Sequence, residues 1–435
     1  MVGPDIGNDG IFVSTITAMS SVTVNSNVIR NVGEEGIYIT SVEGSALLNG
    51  NQATLIGDKG FEVFDIGGSV TATNNNVSQT GDDGILVYNV GDNVNVSSNV
   101  VTGTGAEGIE VDSVSGFVNA NGNTVAAAAD SAMRITDTGA VTVSGNVLNN
   151  NGTGEATDTG IFIEDFASAV VTSNTIMNVT AGSLGIGIDI GNVVAPLAMI
   201  TIADNVVNDS GTGLFIRDNV MGTVTGNTFQ NNVVWGVQID NGVSGNAIGQ
   251  GLPGDVVPTL DIWFRDNVVA GNGAGAVMPG VDGGGINNLR PGPLPGGFIF
   301  DARGNDFAGQ TAFTTGTHFE NPNSGGLGDA VSDWVRIDVV LTEVDVPYYD
   351  YGSLLDTFGR GGGINAPGDL LARGPTFDRN GSLFDPFFAN AFATAFGLAG
   401  DGTQGAASNS ATDYAMCHLA DMWQATSCRV APPKN

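Results

Sequence analysis

The amino-acid sequence predicts an all-β fold, a right-handed parallel β-helix solenoid in which the chain winds through coils of about two dozen residues. Two features repeat along the chain in step with each other: a four-residue apolar pattern and an asparagine. The composition agrees with them, because 66 Gly residues and a charged share of only 13% favour short strands and tight turns. Paired helices are excluded by the dense glycine and by the alternation of apolar and polar residues.

The first repeat is a tetrad made of a small residue, an apolar residue, any residue and a second apolar residue. Its clearest copies begin at Gly36, Gly60, Gly84 and Gly108, which are spaced 24 residues apart. Because side chains alternate across a strand, the first and third residues after each glycine are predicted to point inward and the second outward. Further copies begin at less regular intervals, at Gly10, Ala132, Gly160, Gly187, Gly213 and Gly236. We therefore expect loops inserted into a common coil plan.

The second repeat is an Asn followed by two mostly apolar or β-branched residues. Its members are Asn27, Asn99, Asn123, Asn146, Asn174, Asn205, Asn227 and Asn267. Each follows its tetrad by about two strands' length, which places the asparagines at one bend of successive coils. An amide is both donor and acceptor, so equivalent asparagines are expected to bond to one another along the solenoid axis.

The coils are expected to fill residues 1–330, clearly over 8–250 and irregularly, with loop insertions, over 251–330. Beyond this point the composition changes, and residues 331–435 are predicted to form a last strand, at 334–341, and a small helical cap. One helix of the cap is expected to begin at Asp385 and another at Ser410.

The only two cysteines, Cys417 and Cys428, lie close together in the cap region. They are expected to form one disulfide, which indicates an oxidising, extracellular or cell-surface location; two unpaired buried thiols are the alternative. The net charge of -32 repels phosphate, so no nucleic-acid partner is expected. No apolar run is long enough to predict a membrane span.

The pattern over about residues 8 to 310 resembles the parallel β-helix repeats of the pectate-lyase-like superfamily. That resemblance implies the fold, which carries lyases, hydrolases, epimerases, phage tailspikes and adhesins. Polygalacturonase-like members have an Asn-Thr-Asp motif, whereas here Val125, Ile176 and Phe229 follow the three Asn-Thr pairs. Lyase-like members need basic residues, yet residues 1–317 hold only Lys59 and six arginines.

The outward residues of the tetrad strands are predicted to form two parallel columns on an exposed sheet. The first column reads Phe12, Tyr38, Glu62, Leu86, Glu110, Arg134, Phe162, Asp189, Phe215, Gln238, and the second reads Ser14, Thr40, Phe64, Tyr88, Asp112, Thr136, Glu164. If the protein is an enzyme, the candidate acid/base residues are Glu110, Asp112, Arg134 and Glu164.

Three aromatic residues of the columns, Tyr38, Phe64 and Tyr88, are candidates for stacking on a glycan. The alternative is that the columns form an acidic, solvated face whose aromatic rings only cover their cross-strand neighbours.

Carboxylates also recur at the turn before each tetrad, where Ca²⁺ bridging is a reasonable expectation and simple hydration is the alternative. The candidate metal ligands are Glu34, Asp58, Asp82, Asp83 and Glu107.

The leading functional hypothesis is a non-catalytic extracellular or cell-surface protein, such as an adhesin, a stalk or a self-assembling filament subunit. Its expected partners are other copies of itself or a surface glycan. The main alternative is a polysaccharide-active enzyme, a lyase or a glycoside hydrolase, that uses the acidic sheet face. A second alternative is a phage-type tailspike, which is usually a trimer.

Overall fold

The computed structural model describes residues 7–149, 151–152, 158–179, 185–191, 198–217, 220–240, 262–273, 284–288, 300–301, 305–306 and 335–336. In these residues all the helix or strand structure is β, and neighbouring strands pair in parallel. The all-β parallel solenoid predicted from the repeats is therefore confirmed.

The strands are short and follow one another in chain order. The first five coils contain β1 (Ile11–Ile16), β2 (Val22–Asn25), β3 (Val28–Val32), β4 (Ile37–Val42), β5 (Ala46–Asn49), β6 (Gln52–Ile56), β7 (Phe61–Ile66), β8 (Val70–Thr73), β9 (Asn76–Thr80), β10 (Ile85–Val90), β11 (Val94–Ser97), β12 (Val100–Thr102), β13 (Ile109–Asn121) and β14 (Thr124–Ala126). The later coils contain β15 (Met133–Ser144), β16 (Val147–Asn149), β17 (Thr159–Thr172), β18 (Thr175–Met177), β19 (Ile186–Ile190), β20 (Ala198–Ala203), β21 (Val206–Asn208), β22 (Thr212–Ile216), β23 (Val220–Thr225), β24 (Thr228–Gln230), β25 (Trp235–Ile239), β26 (Ile262–Arg265) and β27 (Val268–Ala270). Beyond them lie β28 (Gly284–Asn288), β29 (Phe300–Asp301) and β30 (Val335–Arg336).

Each coil contributes a first strand that begins at the tetrad, a second strand, and a third strand that follows the repeated asparagine. The first and second strands belong to one 18-stranded sheet, because β13, β15 and β17 run continuously through both positions. The third strands form a separate 10-stranded sheet.

The core is built from the inward residues of the tetrads, which stack over their counterparts. Ile37, Phe61, Ile85 and Ile109 are paired in succession and are fully buried. The tetrad begins with glycine because the backbone of the neighbouring coil lies so close: a Cβ on Gly60 would lie 2.2 Å from Val77 Cγ1 and 2.4 Å from the Gly84 carbonyl oxygen.

The predicted asparagine ladder runs along the bend before the third strand. At each rung the backbone N–H and the side-chain Nδ2 of one Asn both donate to the Oδ1 of the next, as Asn99 does to Asn123 at 2.9 and 3.1 Å. The same Nδ2 also donates to a backbone carbonyl of the preceding coil, here that of Ala72 at 2.9 Å. The ladder consists of Asn27, Asn51, Asn75, Asn99, Asn123, Asn146, Asn174, Asn205, Asn227, Asn267 and Asn305.

Asn51 and Asn75 were missed in the sequence pattern because the polar residues Gln52 and Asn76 follow them. The first residue of the third strand faces solvent, so an apolar side chain is not required there. Of the strand predicted at 334–341, only residues 335–336 are described; they form β30, which pairs in parallel with β29. The expected boundary at residue 330, the helical cap and the cysteine pair Cys417 and Cys428 lie outside the described residues.

Candidate functional site

The outward face of the first strands has the register that the sequence columns predict. Glu110 on β13 pairs with Arg134 on β15, and Arg134 pairs in turn with Phe162 on β17. In the neighbouring column Asp112 pairs with Thr136, which pairs with Glu164. The parallel in-register stacking thus gathers the four candidate acid/base residues onto three adjacent coils.

The two central carboxylates already have partners within the protein. Arg134 Nη1 donates to Glu110 Oε1 in an ion pair, and the guanidinium lies 5.7 Å from the centre of the Phe162 ring. Asp112 Oδ1 accepts a hydrogen bond from Thr136 Oγ1 at 2.6 Å. These contacts orient the carboxyl groups of Glu110 and Asp112 as hydrogen-bond acceptors on the sheet surface.

The candidate stacking residues contact one another. Phe64 and Tyr88 have ring centres 4.7 Å apart and planes only 2° from parallel. Tyr38 stacks on Phe12 at 5.3 Å and meets Phe64 at 5.4 Å with the rings tilted. Glycan stacking on Tyr38, Phe64 and Tyr88 stays a prediction.

The carboxylates at the turn before the tetrads form a continuous acidic ridge, defined here as Asp9, Glu34, Glu35, Asp58, Asp82, Asp83 and Glu107. Lys59 lies within this ridge and divides it. Its Nζ is 2.9 Å from Asp82 Oδ2 and 3.5 Å from Asp58 Oδ1. Burial lowers the pKa of Lys59, but the hydrogen bond and the charge of Asp82 outweigh it, and the pKa is raised. Two of the five candidate metal ligands, Asp58 and Asp82, therefore share one lysine as an ion-pair partner.

A cluster of three carboxyl groups lies on each side of Lys59. Within each cluster, one oxygen from each group lies within 4.8 Å of the oxygens of the other two. One cluster is Asp9, Glu34 and Glu35, and the other is Asp83, Glu107 and Glu110. Glu110, which belongs to the first outward column, therefore also lies beside Asp83 and Glu107 of the acidic ridge. The sequence columns did not indicate this, because Glu110 is two positions beyond its tetrad glycine and only the folded turn brings it to Asp83.

Burial makes these clusters costly to ionise fully. Asp83 is only 4% exposed, and burial followed by the charges of Asp82, Glu107 and Glu110 raises the pKa of Asp83 to about 8. Burial, with hydrogen bonds from Glu35 to Asp9 and Asp58, raises the pKa of Glu35 to about 8 as well. Such groups retain protons near neutral pH or are neutralised by cations. Ca²⁺ at these positions stays a prediction.

A second charged group on the same face was not singled out from the sequence. Asp189 on β19 is fully buried. Arg217, just after β22, donates hydrogen bonds to both of its carboxylate oxygens, from Nε to Oδ1 at 2.7 Å and from Nη2 to Oδ2 at 2.6 Å. The guanidinium also lies 4.4 Å from the centre of the Phe215 ring. The available signal was Gly191 in the column of Glu164, since a missing side chain leaves room for Arg217 to reach across.

No helix among the described residues is long and apolar enough to cross a membrane. No curated protein and no solved structure matches the chain. The family model described as the right handed beta helix region matches residues 5–148 and, in a second overlapping match, residues 131–288. Together with the parallel stacking of the strands, this shows that the chain belongs to the right-handed β-helix family.

Proposed function

We propose that this chain is a non-catalytic β-helix protein of the cell surface or the extracellular space. It acts through its flat sheet surfaces, as an adhesin, stalk or self-assembling subunit does. The observation that carries this proposal is that the best candidate acid/base residue, Glu110, forms an ion pair with Arg134. A carboxylate that accepts a hydrogen bond from an arginine in this way has an oxygen already engaged and is poorly placed to transfer a proton to a substrate.

The surroundings of Glu110 support the same conclusion. Asp112 accepts from Thr136, and the aromatic rings nearby cover each other's faces. These contacts stabilise the sheet surface and leave few groups free to act on a substrate. The low lysine content and the net charge of -32 are in keeping with a protein that stays soluble outside cells.

The proposal is tested by incubating the full chain with a panel of neutral and acidic polysaccharides. New reducing ends report hydrolysis, and ultraviolet absorbance of unsaturated products reports a lyase. We expect neither. Product release that is lost in Glu110→Gln, with the circular dichroism spectrum unchanged, would overturn the proposal. Electron microscopy of the same sample separates paired or filamentous rods from the trimers expected of a tailspike.

The second candidate function is a polysaccharide-active enzyme, and one observation favours it. Asp83 and Glu107 have raised pKa values and lie beside Glu110, so a carboxyl group that retains its proton near neutral pH, Asp83, lies next to two other carboxyl groups. This combination serves general acid/base chemistry on a glycosidic bond. Under this alternative Asp83→Asn abolishes product release and the pH optimum moves with the charge of the cluster.

A further inference from the structure

Three arginines of the later coils share one arrangement, in which the guanidinium lies over an aromatic ring and forms an ion pair with a carboxylate. In the clearest case Arg217 lies 4.4 Å from the centre of the Phe215 ring and binds Asp189. The other two sets are Arg134 with Phe162 and Glu110, and Arg265 with Trp263 and Asp266. A guanidinium suits both neighbours, because its flat face stacks on the ring while its N–H groups donate to the carboxylate.

The outward surface of the first four coils has the rings of this arrangement but no arginine. Its rings contact one another in a row that we call the aromatic stack, made of Phe12, Tyr38, Phe64 and Tyr88. Residues 1–133 contain only two basic side chains, Arg30 and Lys59. Arg30 belongs to the third-strand sheet, and Lys59 forms its ion pairs with Asp58 and Asp82. Among the described residues, no guanidinium or ammonium group lies over a ring of the stack.

Carboxyl groups lie beside the aromatic stack. Glu62 pairs in register with Tyr38, and its Oε1 is 3.5 Å from the Tyr88 hydroxyl oxygen. Burial raises the pKa of Tyr38, and so do the negative charges of four carboxyl groups, Glu62, Glu35, Asp9 and Asp65. Burial and the charge of Glu62 also raise the pKa of Tyr88, to about 12. The stack is therefore surrounded by negative charge, which attracts a cation to it.

The first ring of the stack is open to a ligand. Phe12 is 58% exposed, and its only ring contact among the described residues is with Tyr38, at 5.3 Å and nearly parallel. Asp9 lies three residues before Phe12 and belongs to the carboxyl cluster with Glu34 and Glu35. A planar cation can stack on the open side of Phe12 and still reach the carboxyl groups near it.

We propose that the aromatic stack and the carboxyl groups beside it bind an arginine-bearing basic segment of a partner protein. The partner's guanidinium takes the role that Arg134, Arg217 and Arg265 have within the chain. The inference rests on the proposed non-catalytic function, since it names the partner of one sheet surface. Complementary charge favours this partner over a neutral or acidic glycan.

The first experiment separates the rings from the charge, because a chain of net charge -32 attracts any cation. Calorimetry of the full chain compares an arginine-rich peptide with a lysine-rich peptide of equal length and charge. We expect tighter binding of the arginine peptide, and about fivefold weaker binding when Phe12→Leu and Tyr38→Leu are combined. The matched control is Phe117→Leu, which removes a 45% exposed ring outside the stack and should bind as the wild type does.

Three outcomes of this experiment would overturn the proposal. They are equal binding by the wild type and the double variant, equal affinity for the two peptides, and equal weakening by Phe117→Leu. Displacement of the arginine peptide by an uncharged oligosaccharide would also overturn it, because the stack would then be a glycan site.

A second experiment keeps the rings and changes the carboxylates. Glu62→Gln with Asp65→Asn removes two carboxylates beside the stack and should weaken binding of the arginine peptide. Asp204→Asn with Asp209→Asn removes two exposed carboxylates of a later coil, gives the same net charge, and should leave binding unchanged. Equal effects of the two variants would mean general attraction and overturn the site. Product release from a polysaccharide would overturn the proposed function whether or not the peptide binds, so the two failures are distinguishable.

Discussion

Arg217 crosses from one outward column to the next to bind Asp189 of the preceding coil, and Gly191 makes this possible. A Cβ at Gly191 would lie 3.3 Å from Arg217 Cδ, so a side chain there would press on the arginine and force it to shift. Burial raises the pKa of Asp189, while the hydrogen bonds and the charge of Arg217 lower it. The carboxylate stays on the sheet because its charge is matched by one specific guanidinium.

Removing that guanidinium should destabilise the later coils. We expect Arg217→Met to lower the free energy of unfolding by about 2–4 kcal/mol, because it leaves an unpaired buried carboxylate; the half-exposed arginine keeps the loss below that of a fully buried pair. Urea unfolding followed by circular dichroism measures the loss. The double variant Asp189→Asn with Arg217→Met should recover part of it. Equal stability of Arg217→Met and wild type would contradict the role assigned to the pair.

The asparagine ladder offers a matched comparison at adjacent positions. Asn75 Oδ1 accepts from the backbone N–H and the Nδ2 of Asn51 at 2.9 and 3.1 Å, and its own Nδ2 donates to Asn99 and to the Leu48 carbonyl. Asn75→Ala leaves several buried groups without partners and should cost about 2–4 kcal/mol. Asn76→Ala, at the exposed next position, should change stability by less than about 0.5 kcal/mol. Similar losses in the two variants would mean that the ladder is not a source of stability.

The raised pKa of Asp83 predicts a dependence of stability on pH. The folded protein keeps the Asp83 proton up to about pH 8, whereas the unfolded chain loses it near the ordinary value of 3.8. The native state therefore binds more protons between these values, and stability falls as pH rises from about 4 to 8.

Asp83→Asn removes this effect while its Oδ1 can still accept from the Glu107 N–H, as Asp83 does at 3.1 Å. We expect equal melting temperatures for variant and wild type near pH 4, and a variant that melts roughly 2–4 °C higher at pH 9. Differential scanning calorimetry at the two pH values gives the comparison. A variant that is less stable at pH 9 would show that ionised Asp83 is favourable in the folded state.

Gly60, at the start of its tetrad, should not tolerate a side chain. Gly60→Ala places a methyl group against Val77 and the Gly84 carbonyl, and overpacking of this kind costs about 1–3 kcal/mol. Gly139→Ala is the control, because the nearest atom to its Cβ is the Gly116 carbonyl oxygen at 3.4 Å and its backbone is not left-handed. Thermal melts of the two variants should differ by several degrees. A stable Gly60→Ala would mean that neighbouring coils are farther apart than described.

The sequence by itself determined the solenoid and its register. The apolar positions repeat every 24 residues, and in a parallel stack only one register buries all of them, so the neighbours of Glu110 and of Asp112 could be named in advance. The ladder was predictable for the same reason. Asn51 and Asn75 were not recognised, because the solvent-facing residues that follow them are polar and break the apolar part of the pattern.

Only the tertiary structure decided which charged groups meet. Asp189 and Arg217 lie in different columns and 28 residues apart, and Glu110 joins Asp83 across a turn. A repeat period fixes where each Cα lies along the axis. Ion pairs between residues in different columns also depend on side-chain length and on the space left by neighbours such as Gly191. Those distances arise from packing in three dimensions, and no linear spacing encodes them.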